Sequence, residues 1–155
     1  MGLRRTMQRS VTGRVVSEFS ADERDLLARI QDGLAITADV SRADLLLYAS
    51  AADRTVVLAQ AQPRSISSLY PSTQVGHEAS PSERPLVSRA LNEGRAGSVQ
   101  HDLPTGTPVV QEIYPVRGKA GKTIAALSVE TNLIAMSGIG GGIAHSSEPF
   151  AGCRA

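Results

Sequence analysis

The sequence DLLLYASAADRTVVLAQAQP, residues 44–63, predicts a β-hairpin. Its two apolar runs, at 44–49 and 55–62, have the length of strands, and a short polar turn separates them. Pro63 has no amide hydrogen to donate to a sheet, so we expect the second strand to end there. This hairpin anchors the prediction for the rest of the chain.

A second hairpin is predicted near the end of the chain. Residues 109–117 and 122–130 are strand candidates, and the segment between them, Gly118-Lys119-Ala120-Gly121, is a glycine-flanked turn. Strands joined by tight turns pair antiparallel. The polar residues 95–108 before this hairpin are expected to form a loop.

Two segments predict helices, one before each hairpin. Ser20 and Glu23 form a capping box, which satisfies backbone donors at a helix start, and an apolar stripe at helical spacing follows. We therefore expect a helix over residues 20–34, whose stripe packs on the domain's own sheet or on a second subunit. Ser80 and Glu83 form another box, with Pro81 at the first helical position and Gly94 at the expected end.

The order helix, hairpin, long loop, helix, hairpin predicts an α+β fold with helices packed on one face of an antiparallel sheet. A chain of 155 residues has the size of one domain. We expect a flexible N-terminal arm over residues 1–19, the folded domain over 20–133 and a Gly/Ser-rich flexible tail over 134–155. The connection 63–80 is long for a compact domain, and loops of that length are often functional.

Composition argues against several classes of partner. Sixteen basic and fifteen acidic side chains give a net charge of +1, so nothing favours nucleic acid or an anionic membrane surface. We find no signal peptide and no apolar stretch long enough for a bilayer. The single cysteine, Cys153, permits no intrachain disulfide, which is compatible with a reducing compartment. We therefore expect a cytoplasmic protein.

Several segments between Ser20 and Leu133 carry a resemblance to a known family. They are DVSRADLLLY at 39–48, VLAQAQP at 57–63, Tyr70 with Val75-Gly76, EIYPVR at 112–117, IAALS at 124–128 and ETNL at 130–133. Together they resemble the N-terminal GAF-like sensor domain of bacterial two-component histidine kinases, in which a GAF-like domain precedes a PAS domain and a kinase core. The chain departs from the family at Gln62-Pro63, where members often carry Arg-Pro, and here Arg64 follows the proline instead.

The resemblance implies a GAF/PAS-like signal-input domain that senses a small ligand or partner and passes the change to an output module. A kinase or response regulator is the partner that the resemblance implies, and the apolar stripe of the 20–34 helix predicts a homodimer contact. A non-catalytic dimerisation module without a small ligand is the alternative. The 155 residues contain no phosphoacceptor histidine on a dimerisation helix and no ATP-binding glycine box, so we predict that this chain is not an enzyme.

The residues themselves give little sign of catalysis or metal binding. His77 and His101, with Glu78 or Asp102, make a metal site conceivable, but isolated loop histidines are usually solvated and we predict none. The glycine run 138–142 lacks the lysine and the helix of a phosphate-binding loop. No Ser/His/Asp or Cys/His arrangement is supported by spacing, and the sequence identifies no cofactor.

Polar side chains on the apolar strands and the adjoining loop are the candidates for ligand binding. They are Tyr48, Gln60, Gln62, Arg64, Tyr70, Glu112, Tyr114 and Arg117. Small-molecule pockets are mostly apolar with a few convergent polar groups, and the 63–80 loop would serve as a lid. Alternatively, these side chains face solvent on the open side of an antiparallel sheet.

Overall fold

The computed structural model describes residues 11–138, which form one five-stranded antiparallel sheet with four helical segments. The helices are residues 11–17 (α1), Ala21–Ser41 (α2), Pro85–Glu93 (α3) and Leu133–Ser137 (α4). The strands are Asp44–Ala51 (β1), Arg54–Ala61 (β2), Gly97–Asp102 (β3), Pro108–Arg117 (β4) and Thr123–Asn132 (β5), in the spatial order β2-β1-β5-β4-β3. The predicted α+β class and antiparallel sheet are confirmed.

Both predicted hairpins are present. β1 pairs with β2 and β4 pairs with β5, each antiparallel. The turn of the second hairpin is closed by hydrogen bonds from the amide of Gly118 to the carbonyl of Lys122 and from that of Gly121 to the carbonyl of Gly118. β1 also pairs with β5, so the first and last strands are neighbours in the middle of the sheet, with Asp44 opposite Glu130.

The helices cover both faces of the sheet, which corrects the expectation that they pack on one face. Leu45 and Leu47 point into a core that contains Leu27 and Leu34 of α2. Leu46 and Tyr48 point to the other face, where Val87 and Ala90 of α3 cover them. The six consecutive buried residues at the start of β1 reflect this arrangement, since a continuous apolar run suits a strand with two covered faces.

α2 begins as predicted and ends later. Both hydrogen bonds of the Ser20 capping box are formed. The helix continues seven residues beyond Leu34 and ends at Ser41, and the left-handed backbone of the cap residue Arg42 (φ 54°) closes it.

α3 begins later than predicted because of Pro85. A residue before proline is disfavoured in the α conformation, and Arg84 has φ −132° and ψ 66°. The hydrogen bonds between Ser80 and Glu83 therefore close a turn, and the helix starts at Pro85. Gly94 ends it with φ 64°, as predicted.

The predicted loop 95–108 contains β3, an edge strand that pairs only with β4 among the described strands. Most of its residues are exposed or half-buried and polar, so it lacks the apolar alternation from which strands are predicted. Backbone pairing, rather than burial of its side chains, holds it in place.

Both ends of the described chain are more ordered than predicted. Residues 11–17 of the predicted arm are helical, and Val15 is buried in the core between α2 and the sheet. Residues 133–137, at the predicted start of the tail, form α4. Residues 1–10 of the arm and 139–155 of the tail lie outside the described residues.

Candidate functional site

Residues 63–84, here called the strap, cross the face of the sheet that α3 covers. Leu69 packs against Leu103 and Val109, at the β3–β4 side of the sheet. Farther along, the backbone follows the edge of β2, where Val57 exchanges hydrogen bonds with the carbonyl of His77 and the amide of Gly76, at 3.0 and 2.8 Å. The segment predicted as a lid is therefore attached to the sheet at two places.

A cleft of about 610 Å³ lies between the strap, the start of α3 and the β3–β4 hairpin. Tyr48, Val57 and Gln111 project into it from the sheet. The surrounding walls are formed by Gln74, His77, Glu78, Ala79, Glu83, Arg84, Pro85, Val99, His101, Asp102, Leu103 and Pro104. Its volume falls within the range of small-molecule sites, and its lining combines apolar surface with a few polar groups.

Two polar groups of the cleft carry information about its chemistry. The Nδ1 atom of His101 is buried and has no hydrogen-bond partner among the described residues. Buried polar atoms are nearly always hydrogen-bonded, so such an atom calls for an explanation. The hydroxyl of Tyr48 is protonated at neutral pH, as tyrosine ordinarily is, and burial raises the pKa of this residue further.

A buried ion pair lies behind one wall of the cleft. The Glu130 carboxylate is fully buried and accepts hydrogen bonds from Arg84 Nη1 at 2.9 Å, from Ser128 Oγ at 3.0 Å and from the Tyr70 hydroxyl. Arg84 Nη2 donates to the Tyr70 oxygen at 2.8 Å, and Gln111 Nε2 donates to Ser128 Oγ at 3.0 Å. We call these five residues the Glu130 network.

The charges in this network support one another. Burial alone lowers the pKa of Arg84, but Glu130 and the two tyrosines raise it overall, so the guanidinium stays charged. Burial and the neighbouring carboxylate of Glu130 raise the pKa of Tyr70, which keeps its hydroxyl protonated as a donor. A buried carboxylate with this many partners is satisfied in the way that buried charges require.

Asp44 is a second buried carboxylate, and it holds the strap. Its oxygens accept hydrogen bonds from Ser68 Oγ at 2.7 Å and from the Leu69 amide at 3.2 Å. Burial raises the pKa of Asp44, and nearby Glu130 adds to this, while the two hydrogen bonds act in the opposite direction. Asp44 therefore fixes the first third of the strap to the start of β1.

Four of the eight predicted ligand-binding residues line the cleft or a depression beside it on the α3 face. Tyr48 projects into the cleft, and Tyr70 contacts the cleft residue Arg84. Gln60 and Gln62 line, with Tyr70, a shallower depression of about 480 Å³ along the strap. Gln60 Oε1 accepts from the Gln74 amide at 2.7 Å, while its buried Nε2 has no partner among the described residues.

The other four predicted residues lie elsewhere. Arg64 forms an ion pair with Asp39 of α2, with its Nε 2.7 Å from Oδ2. Glu112 and Tyr114 alternate along β4 with Gln111 and Ile113, which face the cleft side, so they lie on the opposite face of the sheet. Arg117 Nη2 donates to the carbonyl of Gly94 at 2.8 Å, where it braces the end of α3.

Sequence reasoning named the cleft residues His77, Glu78, His101 and Asp102 only as a conceivable metal site, and it missed Arg84 and Glu130. His101 lay in a segment predicted as a loop. Arg84 lay within a predicted helix, and Glu130 lay at the end of a strand candidate. A carboxylate in an apolar strand is a usable signal, because burying it requires a cation or hydrogen-bond donors. Residues 11–138 contain no group of three or more His, Cys, Asp or Glu side chains positioned to hold a metal ion.

The fold is that of a GAF/PAS-type sensor domain, and comparison with known proteins gives the family. Residues 14–137 match the family model described as "Histidine kinase PdtaS, GAF domain". This match covers most of the chain, so the chain belongs to that family. Comparison with curated proteins gives no match.

Solved structures with a similar fold include the sensor region of a sensor histidine kinase, with a TM-score of 0.63 and 22% identity over 80% of this chain. The chain spans 43% of that protein's length. A LOV protein of Rhodobacter sphaeroides is similar at TM-score 0.46 and 18% identity, over 66% of this chain and 65% of its own length. A PAS domain of Colwellia psychrerythraea gives 0.43 and 11%, over 70% and 97%.

The expected resemblance to a histidine kinase sensor domain is confirmed. The matched family is the sensor part of such a kinase and not its catalytic core, in agreement with the prediction that this chain is not an enzyme. No helix within residues 11–138 combines the length and the apolar character needed to cross a membrane.

Proposed function

We propose that this sensor domain binds a small organic ligand in the cleft beside the strap and passes the resulting change to an output module. The observation that carries the proposal is a cleft of about 610 Å³ whose lining combines apolar side chains with the polar side chains of Tyr48, Gln111 and His101. A ligand with one polar group facing His101 and an apolar body against Val57 and Leu103 satisfies both kinds of surface. Tyr48 supplies a neutral hydroxyl from the sheet.

Native mass spectrometry of gently purified protein tests this proposal. We expect an additional mass that is lost on denaturation, and we expect His101→Leu to reduce its occupancy at least about tenfold, as loss of one well-placed buried polar contact does. Tyr114→Phe is the matched control, because it changes a polar ring on the opposite face and should leave occupancy unchanged. Absence of any retained mass from the wild-type protein, or equal retention by His101→Leu, would count against the cleft as the ligand site.

The partners of the proposed sensor follow from its family. We propose a kinase module or a response regulator as the recipient of the signal and the cytoplasm as its location. The sensor region to which the chain is similar is part of a longer protein, which supports an output module that acts with this domain. Co-purification of the domain with a histidine kinase or a response regulator encoded by a neighbouring gene would test this assignment.

A dimerisation module is the second candidate, and α2 supplies the observation that favours it. Ile36 and Val40 are 68% and 81% exposed, one turn apart on this helix. Within the predicted dimer segment 20–34, Leu27 and Leu34 are instead buried in the domain's own core. We therefore place the proposed homodimer contact on the C-terminal half of α2.

A further inference from the structure

The Glu130 network lies between the cleft and the places where the chain enters and leaves the sheet. Two cleft residues reach Glu130. Arg84 does so directly, and Gln111 does so through Ser128. The carboxylate itself is fully buried, so anything that moves these two cleft residues also changes the partners of Glu130.

Glu130 stands next to the exit from the sheet. Two residues later, Asn132 caps α4, because its side-chain oxygen accepts hydrogen bonds from the amides of Ile134 and Ala135 at 3.0 and 3.1 Å. The position of this cap depends on the last residues of β5. Glu130 is the charged, hydrogen-bonded group among those residues that fixes them to the interior.

The entry to the sheet lies beside the same residue. Asp44 pairs with Glu130 across β1 and β5 and follows the end of α2 by three residues. Through Ser68 and Leu69, Asp44 also holds the strap that borders the cleft. The end of α2, the start of α4 and the strap therefore meet at two adjacent buried carboxylates.

The buried pair makes the position of Glu130 depend on that of Arg84. Removing one partner of a buried ion pair is strongly destabilising, because it leaves an uncompensated charge in the interior. A cleft occupant that draws Arg84 away from Glu130 thus forces the carboxylate to gain other donors or to shift with β5. Coupling between two sites requires an element of this kind, whose arrangement both sites can bias.

We propose that Glu130 is the positioning residue that couples the contents of the cleft to α4 and to the end of α2. The proposal rests on the proposed function for the ligand that drives the change. The coupling itself is a property of the chain without ligand, and it can be measured there.

The test uses the whole 155-residue chain and NMR measurement of amide exchange with solvent. Glu130→Gln should accelerate exchange of the Ile134 and Ala135 amides by about 5- to 150-fold, the range usual for coupled sites. It should also shift the resonances of residues 38–43. Glu112→Gln is the matched control: it makes the same change of charge on the neighbouring strand β4, on the opposite face of the sheet, and should leave α4 unaffected.

A second experiment tests the coupling in the opposite direction, from α4 to the cleft. Removing the cap of α4 with Asn132→Ala should shift the side-chain resonances of Arg84 and His101 in the cleft, because coupling acts equally in both directions. If Glu130→Gln does not fold, Arg84→Lys, which keeps the charge, and Ser128→Ala report on the same network. Equal effects of Glu130→Gln and Glu112→Gln on α4, or changes confined to the neighbours of residue 130, would overturn the proposal.

These arms separate the coupling from ligand binding. Normal ligand retention with no response of α4 to Glu130→Gln would leave the proposed function intact and remove the coupling. A response of α4 to Glu130→Gln in a protein that retains no ligand would support the coupling and count against the proposed ligand binding.

Discussion

At the scale of single residues, the two buried carboxylates, Glu130 and Asp44, differ in how well their partners compensate for the loss of solvent. Glu130 is compensated by a guanidinium, whereas Asp44 has only a hydroxyl and one backbone amide as donors. Their side chains are nevertheless equally hidden from solvent. Burial raises the pKa of Asp44, and the two neutral donors lower it only in part, so the net shift is upward.

Asp44 should therefore make the protein less stable as pH rises. A raised pKa means that the folded state binds the proton more tightly than the unfolded state, so the penalty is absent below the ordinary pKa of 3.8 and complete above the raised value. We expect Asp44→Asn to flatten the fall in the free energy of unfolding across this window. Each pH unit between the two pKa values corresponds to about 1.4 kcal/mol.

Urea unfolding between acid and neutral pH measures the effect. Asp102→Asn is the control, because that side chain is exposed at the end of β3. A slope unchanged in Asp44→Asn would show that the buried carboxylate is not responsible for the pH dependence.

Arg84 should be among the most sensitive positions in the domain. Arg84→Ala leaves the Glu130 carboxylate buried without its cation, and we expect a loss of about 3–5 kcal/mol in the free energy of unfolding. The double variant Arg84→Met with Glu130→Met removes both charges and should recover most of that loss, since apolar replacements of buried pairs are often neutral. A double-mutant cycle by chemical denaturation gives both values, and a loss below about 1 kcal/mol for Arg84→Ala would contradict the pairing.

At the scale of elements, the strap is tied to α2 at its beginning. Arg64 donates to Asp39 through both its side chain and its amide, and these hydrogen bonds lower the pKa of Asp39. The Arg64 side chain is largely exposed, so the pair fixes the position of the strap more than it stabilises the whole domain. Its contribution is present above the ordinary pKa of Asp39 and is lost as pH falls through the lowered value.

We therefore expect Arg64→Gln to loosen the strap without unfolding the domain. Hydrogen exchange should increase at the start of the strap and remain unchanged in β1 and β5. The difference from the wild-type protein should disappear at acid pH, where Asp39 is protonated in both. Arg89→Gln, which breaks an exposed pair with Glu93 within α3, is a control for loss of charge alone, and equal effects of the two variants would contradict this role of Arg64.

The elements also show how far sequence reasoning extends. Both hairpins were predictable because apolar runs, glycines and Pro63 mark their limits locally. β3 was not, because an exposed edge strand carries no apolar alternation, and its partner is defined only by tertiary pairing. The capping box at Ser80 predicts the start of α3 there, with the first firm turn expected just after Pro85. The whole helix begins at Pro85, because a residue before proline is disfavoured in the α conformation.

The candidate site was harder to predict than the fold for a related reason. Tyr48 and Tyr114 both lie on apolar strands, and alternation alone does not say which face of the sheet carries the cleft. Because α2 and α3 cover opposite faces, the choice depends on packing between distant segments. The Arg84–Glu130 pair joins residues 46 positions apart, a relation that no local pattern contains.

At the scale of the whole molecule, the strand order brings the end of α2 and the start of α4 to the same end of the sheet. β1 and β5 are central neighbours, so the end of α2 and the start of α4 lie at the same end of adjacent strands. The connection from α2 into β1 and the connection from β5 into α4 therefore lie at one end of the sheet. Any homodimer contact on the C-terminal half of α2 would lie close to that place.

The oligomeric state is the property through which this arrangement can be tested. Ile36 and Val40 form an exposed apolar pair on α2, and single exposed apolar residues are ordinary on monomers, so exposure alone does not establish a contact. If they form the proposed dimer interface, Val40→Lys should shift sedimentation equilibrium from dimer to monomer and leave thermal stability nearly unchanged. Ala35→Lys, an equally drastic change at an adjacent exposed position, should not. A wild-type monomer at every concentration would exclude the homodimer. A dimer that survives Val40→Lys would show that its contact lies on a surface other than the C-terminal half of α2.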